Sequence, residues 1–190
     1  MWGLIRLEQV HTTRDLEFDF QYSSLEGDIF NVKNCLEVSS VGDNKILERE
    51  FVRWDLLKND CEVAMRFYDA PEYAFSYWPS EFNFSLLKTL PSTSIPYLGG
   101  QALDGRSGSL GAYETNLNFI ESAKHNVKVS YDEMVVNYVV MARGDFNRDG
   151  YQDLFVRMDW YIEGAFSDGS DWIVLTKISP DEPPMLLWRK

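Results

Sequence analysis

The chain has 190 residues, 45 % of them hydrophobic and 25 % charged, a balance typical of a folded globular protein that can bury a sizeable core. Its formal net charge of -12 argues against nucleic acids and anionic membranes, which attract basic surfaces, and favours a basic partner or divalent cations. No apolar run approaches the ~20 residues of a membrane-spanning helix. The length predicts a single domain over residues 1–190, with the Pro- and Gly-rich stretch 91–112 as the best internal boundary.

The first third of the chain predicts mainly short strands. Apolar residues in alternating or clustered patterns indicate strands over residues 2–10, 16–20 and 29–38. Residues 46–57 fit neither the strand period nor the helix period cleanly. A helix is predicted over residues 60–68, because an acidic first turn is followed by apolar residues at helical spacing.

Cys35 and Cys61 are the only cysteines, and their separation excludes a Cys-x-x-Cys motif. They form either a disulfide, which would contribute roughly 3 kcal/mol in the chain-entropy model, or two buried free thiols. The N-terminal residues lack the basic segment of a signal peptide. We therefore expect either a cytoplasmic protein or a periplasmic or extracellular one whose signal has been removed. A disulfide would favour the second location.

The middle of the chain predicts two short helices and an aromatic cluster. One helix begins near residue 80 and ends before Pro91, and a weaker one covers residues 113–123. Tyr73, Tyr77 and Trp78 are candidate binding residues, because aromatic rings beside acidic residues can form a sugar-binding platform or anchor a protein interface. Core packing around the helices is the alternative for these side chains.

The last third of the chain changes to strands separated by turns. The predicted strands cover residues 127–129, 135–144, 153–162, 171–178 and 185–188. Their spacing predicts an antiparallel meander. The fold class that follows is α+β, with an antiparallel sheet, a C-terminal β-meander and two or three short helices packed on one face.

One loop between these strands carries the sharpest chemical signal. Side-chain oxygens recur at alternate positions through Asp145, Asn147, Asp149 and Asp153, and Gly150 can adopt the φ > 0 conformation of a tight turn. Calcium takes about 6–8 oxygen ligands, so a short segment of this kind can supply most of them. The alternative is an ordinary acidic turn, since Asp, Asn and Gly are common turn residues.

The pattern Asp-x-Asn-x-Asp-Gly-x-x-Asp resembles the calcium loops of FG-GAP and VCBS-type repeats, over residues 142–160 only. That resemblance implies a β-hairpin loop with Asp145, Asn147, Asp149, the carbonyl of Tyr151 and Asp153 as calcium ligands. An EF-hand is excluded, because Val156 stands where the EF-hand has its bidentate Glu. A propeller is not implied, because the chain has a single such loop.

The sequence contains neither a Gly-x-Ser-x-Gly nor a His-Glu-x-x-His motif. We therefore predict a non-enzymatic, acidic calcium-binding module that binds another macromolecule. A protein partner, basic in character, is expected, and a homodimer would also fit. A bacterial immunity protein or an envelope accessory protein would match this description. The alternative is a carbohydrate-binding or carbohydrate-active protein that uses the aromatic cluster and its carboxylates.

Overall fold

The structure, a computed structural model, describes residues 3–6, 19–99 and 103–190, with the backbone alone for residues 3–6. The chain divides into a smaller compact unit of residues 11–69 and a larger one of residues 1–10 together with 70–190. The stretch 91–112 lies inside the larger unit. The single-domain assignment stays a prediction. Of the strands predicted over residues 2–10 and 16–20, residues 2, 7–10 and 16–18 lie outside the described part of the chain.

The smaller unit combines a hairpin with two helices. Its strands pair antiparallel, and Gly27 takes a left-handed conformation (φ 90°) in the turn between them. The elements in chain order are β2 (Phe20–Ser23), β3 (Ile29–Val32), α1 (Cys35–Ser40), the 3-10 turns Asp43–Lys45 and Glu48–Glu50, and α2 (Phe51–Asp69).

The strand predicted over residues 29–38 is too long, because a helix starts at Cys35. The side chain of Asn34 accepts a hydrogen bond from the N–H of Glu37 at 2.9 Å. The Glu37 carboxylate in turn accepts one from the N–H of Lys33 at 2.7 Å. These two bonds satisfy backbone donors at the start of the helix, and this local capping outweighs the apolar pattern of the segment.

Helix α2 begins at Phe51, nine residues before the predicted start, and so includes most of the ambiguous stretch. Trp54, Cys61 and Ala64 lie on its buried face. The core of the smaller unit consists of Tyr22, Val32, Val38, Ile46, Trp54 and Cys61. A disulfide joins Cys35 of α1 to Cys61 of α2, with 5.2 Å between the two Cα atoms. The predicted disulfide is therefore present, and the free-thiol alternative is wrong.

The larger unit contains the predicted meander. Its elements are β1 (Gly3–Arg6), β4 (Tyr73–Ser76), α3 (Phe84–Thr89), α4 (Leu110–Tyr113), β5 (Asn118–Ala123), β6 (Asn126–Tyr131), β7 (Met134–Gly144), β8 (Asp153–Ile162), β9 (Asp168–Thr176) and β10 (Met185–Arg189). Strands β5 to β10 form one antiparallel sheet in the order β10-β9-β8-β7-β6-β5, and β1 pairs with β4 in a separate ladder.

The helices of the larger unit cover one face of the meander. Leu154, Val156 and Met158 of β8 belong to a buried cluster that also contains Leu87 of α3 and Leu110 of α4. The α+β class, with an antiparallel sheet and a C-terminal meander, is thus confirmed, whereas of the helices predicted in the larger unit only the one near residues 80–90 packs on this sheet. Within the described ranges, no helix is both long and apolar enough to cross a membrane.

The helix predicted over residues 113–123 is wrong. Helix α4 ends at Tyr113, and residues 118–123 form the edge strand β5. A β-bulge lies between Phe119 and Glu121, and a bulge interrupts the strict alternation by which a strand is recognised in a sequence. Phe119 packs against Phe84 of α3, with 5.5 Å between ring centroids, so tertiary contact decides the conformation here.

Candidate functional site

Residues 145–153, called here the acidic loop, connect β7 to β8, which are the two central strands of the six-stranded sheet. Gly144 ends β7, and a Cβ atom there would lie 2.7 Å from the ring of Phe146, so a larger residue would have to displace that ring. Arg148 and Gly150 take left-handed conformations, with φ of 62° and 89°. The hairpin placement that the sequence resemblance implied is therefore correct.

The Asp145 side chain accepts hydrogen bonds from the backbone of the loop. Its side chain is buried, at 2 % exposure. Its Oδ1 accepts a hydrogen bond from the N–H of Asp149 at 3.0 Å, and its Oδ2 accepts one from the N–H of Gly150 at 2.9 Å. Both carboxylate oxygens thus accept hydrogen bonds from the backbone of the loop.

Asn147 and Asp149 lie on the exposed side of the loop. The amide of Asn147 donates a hydrogen bond to Asp149 Oδ2 at 2.8 Å, and its Oδ1 accepts one from the N–H of Asp149 at 3.2 Å. Asp149 Oδ1 accepts a hydrogen bond from the N–H of Tyr151 at 2.8 Å. These bonds hold the two side chains over the same turn that contains Asp145.

Asp153 closes the loop and is fully buried, at 0 % exposure. Its Oδ2 accepts a hydrogen bond from the N–H of Phe146 at 2.9 Å, whereas its Oδ1 has no hydrogen-bond partner among the described residues. Burial raises the pKa of this carboxyl to about 7; the nearby Thr176 hydroxyl and the Phe146 N–H act to lower the pKa, and the charges of Asp149 and Asp145 raise it further. A buried carboxylate with an unsatisfied oxygen is costly unless a positive group compensates it.

Thr176 was not predicted as part of the site. It is the antiparallel partner of Asp153 on β9, and its side chain is 1 % exposed. Its hydroxyl also has no hydrogen-bond partner of normal geometry in the described part of the chain. The Thr176 hydroxyl nevertheless lowers the pKa of Asp153, so the two side chains interact across neighbouring strands at the inner end of the acidic loop.

The residues of the acidic loop suit a hard cation in chemistry. Asp145, Asn147, Asp149 and Asp153 offer only oxygen ligands from their side chains, and Asp153 Oδ1 is a buried oxygen without a partner among the described residues. Their carboxylates are not close enough together to form a complete metal site, however. Over residues 3–6, 19–99 and 103–190, no group of three or more His, Cys, Asp or Glu side chains is arranged to hold a metal ion.

The acidic loop is also bonded to strand β4, a contact that the sequence did not indicate. The N–H of Phe75 donates to the carbonyl of Gly150 at 2.9 Å, and the N–H of Gln152 donates to the carbonyl of Phe75 at 2.7 Å. Gln152 is 1 % exposed, and its side-chain oxygen accepts a hydrogen bond from the Ser76 hydroxyl at 2.8 Å. The loop therefore lies between the meander and the short β1–β4 ladder.

The predicted aromatic binding residues fall into two environments. Tyr73 is 52 % exposed, and Tyr77 stacks on Tyr151 of the acidic loop with 5.7 Å between ring centroids. Trp78 is only 4 % exposed, because it packs in the core of the larger unit, and its indole N–H donates to the carbonyl of Gln152 at 2.6 Å. Of the two alternatives given for Trp78, core packing is therefore correct, and Trp78 is not available as a binding residue. Phe75, on β4 with Tyr73, is 49 % exposed.

Comparison of the chain with protein-family models, with curated proteins and with solved structures gave no match. The functional assignment therefore depends on the chemistry of the acidic loop and of the surface beside it.

Proposed function

We propose that this chain is a non-enzymatic, acidic calcium-binding module that binds another macromolecule. The ligands would be side-chain oxygens of Asp145, Asn147, Asp149 and Asp153 and the carbonyl of Tyr151. The observation that carries the proposal is the buried Asp153 carboxylate, whose Oδ1 has no partner among the described residues while two further aspartates lie in the same loop. A bound cation would compensate this negative charge and hold β7 and β8 together at the loop.

The donor set favours calcium over other metals. Carboxylate, amide and carbonyl oxygens are the ligands of hard cations, whereas zinc and copper favour nitrogen and sulfur. Calcium also tolerates irregular geometry, while magnesium demands a near-ideal octahedron and keeps several waters. A single loop with five oxygen-bearing positions and a flexible glycine therefore fits calcium best.

The test is thermal unfolding of the protein in EDTA and over a series of calcium concentrations. Because the proposed site would exist only in the folded chain, we expect the midpoint to rise with the logarithm of free calcium above the dissociation constant. Asp149→Ala should remove this rise and should change the midpoint little in EDTA. Asp181→Ala is the matched control, because it removes one exposed acidic side chain outside the loop.

A midpoint that is the same in EDTA and in millimolar calcium would contradict the proposal. So would an Asp149→Ala variant that is destabilised equally under both conditions, because the loop would then act only as a turn.

The macromolecular partner is proposed to bind at the aromatic side chains of strand β4. Tyr73 and Phe75 expose about half of their surface there, next to the Tyr77–Tyr151 stack. Aromatic side chains of this kind anchor protein interfaces, and a net charge of -12 favours a basic protein. A second copy of the chain is the other partner to examine, and sedimentation at several concentrations would detect it.

The disulfide between Cys35 and Cys61 supports a location outside the cytoplasm, in the periplasm or the extracellular medium, where disulfides persist and calcium is abundant. A bacterial immunity protein or an envelope accessory protein fits this location and the proposed binding role.

A carbohydrate-binding protein is the second candidate, and the exposed rings of Tyr73 and Phe75 beside the acidic loop favour it. Calorimetric titration with a panel of soluble oligosaccharides, in calcium and in EDTA, separates the two candidates. A sugar that binds wild type but not Tyr73→Ala would support the carbohydrate function.

A further inference from the structure

Strand β4 and the acidic loop share a short parallel bridge. Phe75 lies opposite Tyr151, with its N–H bonded to the carbonyl of Gly150 and its carbonyl bonded to the N–H of Gln152. Both backbone polar groups of Phe75 are thus directed at the loop. Its antiparallel partner on the other side of the strand is Leu4 of β1. Two backbone hydrogen bonds therefore join the loop directly to the four-residue strand.

Side chains extend this connection along the next residues. The Ser76 hydroxyl donates to the side-chain oxygen of Gln152, and the indole of Trp78 donates to the backbone carbonyl of Gln152. Tyr77 stacks on Tyr151. Every residue from Phe75 to Trp78 thus contacts loop residues 150–152.

The same three loop residues are placed to respond to a cation. Tyr151 would contribute its carbonyl as a ligand under the proposed function. Gly150 donates its N–H to Asp145, and Gln152 directly precedes the buried Asp153. A change in the backbone of residues 150–152 would alter the hydrogen bonds to Phe75, because the peptide groups on both sides of Tyr151 supply the partners.

We propose that Phe75 and Gln152 couple occupancy of the acidic loop by calcium to the order of strand β4. This inference rests on the calcium-binding function proposed above. In the calcium-free protein the bridge is weakened and residues 73–78 open frequently. In the calcium-bound protein the strand is held, and the exposed rings of Tyr73 and Phe75 are fixed in position. Calcium thereby sets whether the surface proposed for the partner is preorganised.

The coupling is reciprocal by thermodynamic linkage. If the bound cation stabilises the bridge, then cutting the bridge must weaken calcium binding by the same factor. One backbone hydrogen bond is worth roughly 1 kcal/mol, so its removal corresponds to about a fivefold loss of calcium affinity.

The experiment is hydrogen–deuterium exchange of the full chain, read by mass spectrometry, in EDTA and in calcium chloride, alongside calorimetric titration with calcium chloride. At free calcium 100-fold above the dissociation constant, exchange from a fully coupled segment slows by up to about 100-fold. We expect the peptides that cover residues 145–153 and those that cover residues 73–78 to slow together, the second by about fivefold, the same factor as the loss of calcium affinity on removal of the bond.

Two substitutions at Phe75 isolate the backbone bond. Phe75→Pro removes the N–H that donates to Gly150, whereas Phe75→Ala removes the same exposed ring and keeps that N–H. We expect only Phe75→Pro to lose calcium-dependent protection of residues 73–78, with about a fivefold loss of calcium affinity.

The outcomes separate the two proposals. Calcium binding with protection confined to residues 145–153 would overturn the coupling and leave the calcium site intact. Equal behaviour of Phe75→Pro and Phe75→Ala, with the coupling retained in both, would also overturn the role of this bond. No calorimetric signal with calcium would overturn the proposed function and the coupling with it.

Discussion

Two buried aspartates of the larger unit, Asp171 and Asp153, differ in the charges that surround them. Asp171 of β9 is 8 % exposed; its carboxylate accepts hydrogen bonds from the N–H of Tyr97 at 3.1 Å and from the indole of Trp160 at 2.9 Å, and Arg189 lies 4.0 Å away. Asp153 is 0 % exposed and has no ion pair with Lys, Arg or His in the described part of the chain. Burial raises the pKa of both carboxyls, but only Asp171 has a cation of the protein beside it to lower the pKa again.

The difference shows where the chain supplies its own counter-charge and where it does not. Around Asp171 the guanidinium of Arg189 also donates to the carbonyls of Thr93 and Ile95, so one cation satisfies several acceptors. Around Asp153 the neighbouring charges are Asp145 and Asp149, which are of the same sign. A cation from solution is the partner that we propose for this second site.

Arg189→Ala should give the largest effect, because it breaks the protein's own pair. The buried Asp171 would lose its cation, and removing one partner of a buried ion pair typically destabilises by about 3–5 kcal/mol. Chemical denaturation in urea should show this loss equally in EDTA and in calcium. Arg189→Lys keeps the charge and should lose less. A loss below about 1 kcal/mol would mean that Asp171 does not depend on its cation.

Asp153→Asn should increase the stability of the protein at neutral pH in the absence of calcium, whereas Arg189→Ala decreases it. The pKa of about 7 in the folded chain, against an ordinary 3.8, means that the folded protein binds the proton more tightly than the unfolded chain does. Stability therefore falls as pH rises from about 4 to about 7, by as much as about 4 kcal/mol at 1.36 kcal/mol per pKa unit. The neutral amide avoids this loss but also removes the negative charge of a proposed calcium ligand.

The measurement for Asp153→Asn is urea denaturation between pH 4 and pH 8, in EDTA and again in calcium chloride. We expect the variant to be more stable than wild type at pH 8 and similar at pH 4, and to gain nothing from calcium. A wild-type protein whose stability rises over this pH range, or a variant that is destabilised throughout, would show that Asp153 is already compensated within the chain.

The acidic loop and the strands beside it could be predicted from the sequence, because the patterns that define them are local. The spacing of Asp145, Asn147 and Asp149 is local, so a turn with inward oxygens was predictable, as were the alternating strands on either side of it. The strands predicted over residues 135–144 and 153–162 match β7 and β8 closely.

Contacts between distant segments could not be read in this way. Phe75 meets Gln152 only because β4 lies along the loop, and no periodicity within either segment records that pairing. Trp78 looked like a surface aromatic for the same reason, since its burial depends on a core formed by residues far along the chain. Helix α1 was missed because a side-chain cap at Asn34, rather than the apolar pattern, decides where it begins.

Thr176→Val should give the smallest change in free energy of the three substitutions, and it tests a single hydroxyl. The hydroxyl of Thr176 helps to lower the pKa of Asp153, so its removal disfavours the charged carboxylate that a cation requires. A contribution of about 1 kcal/mol predicts about a fivefold loss of calcium affinity at pH 7 by calorimetry. Thr176→Ser keeps the hydroxyl and should retain most of the affinity. If both variants lost affinity equally, the methyl packing of Thr176 would matter and the hydroxyl would not. If neither did, Thr176 would have no part in the charge balance of Asp153, and only the residues of the acidic loop would set that balance.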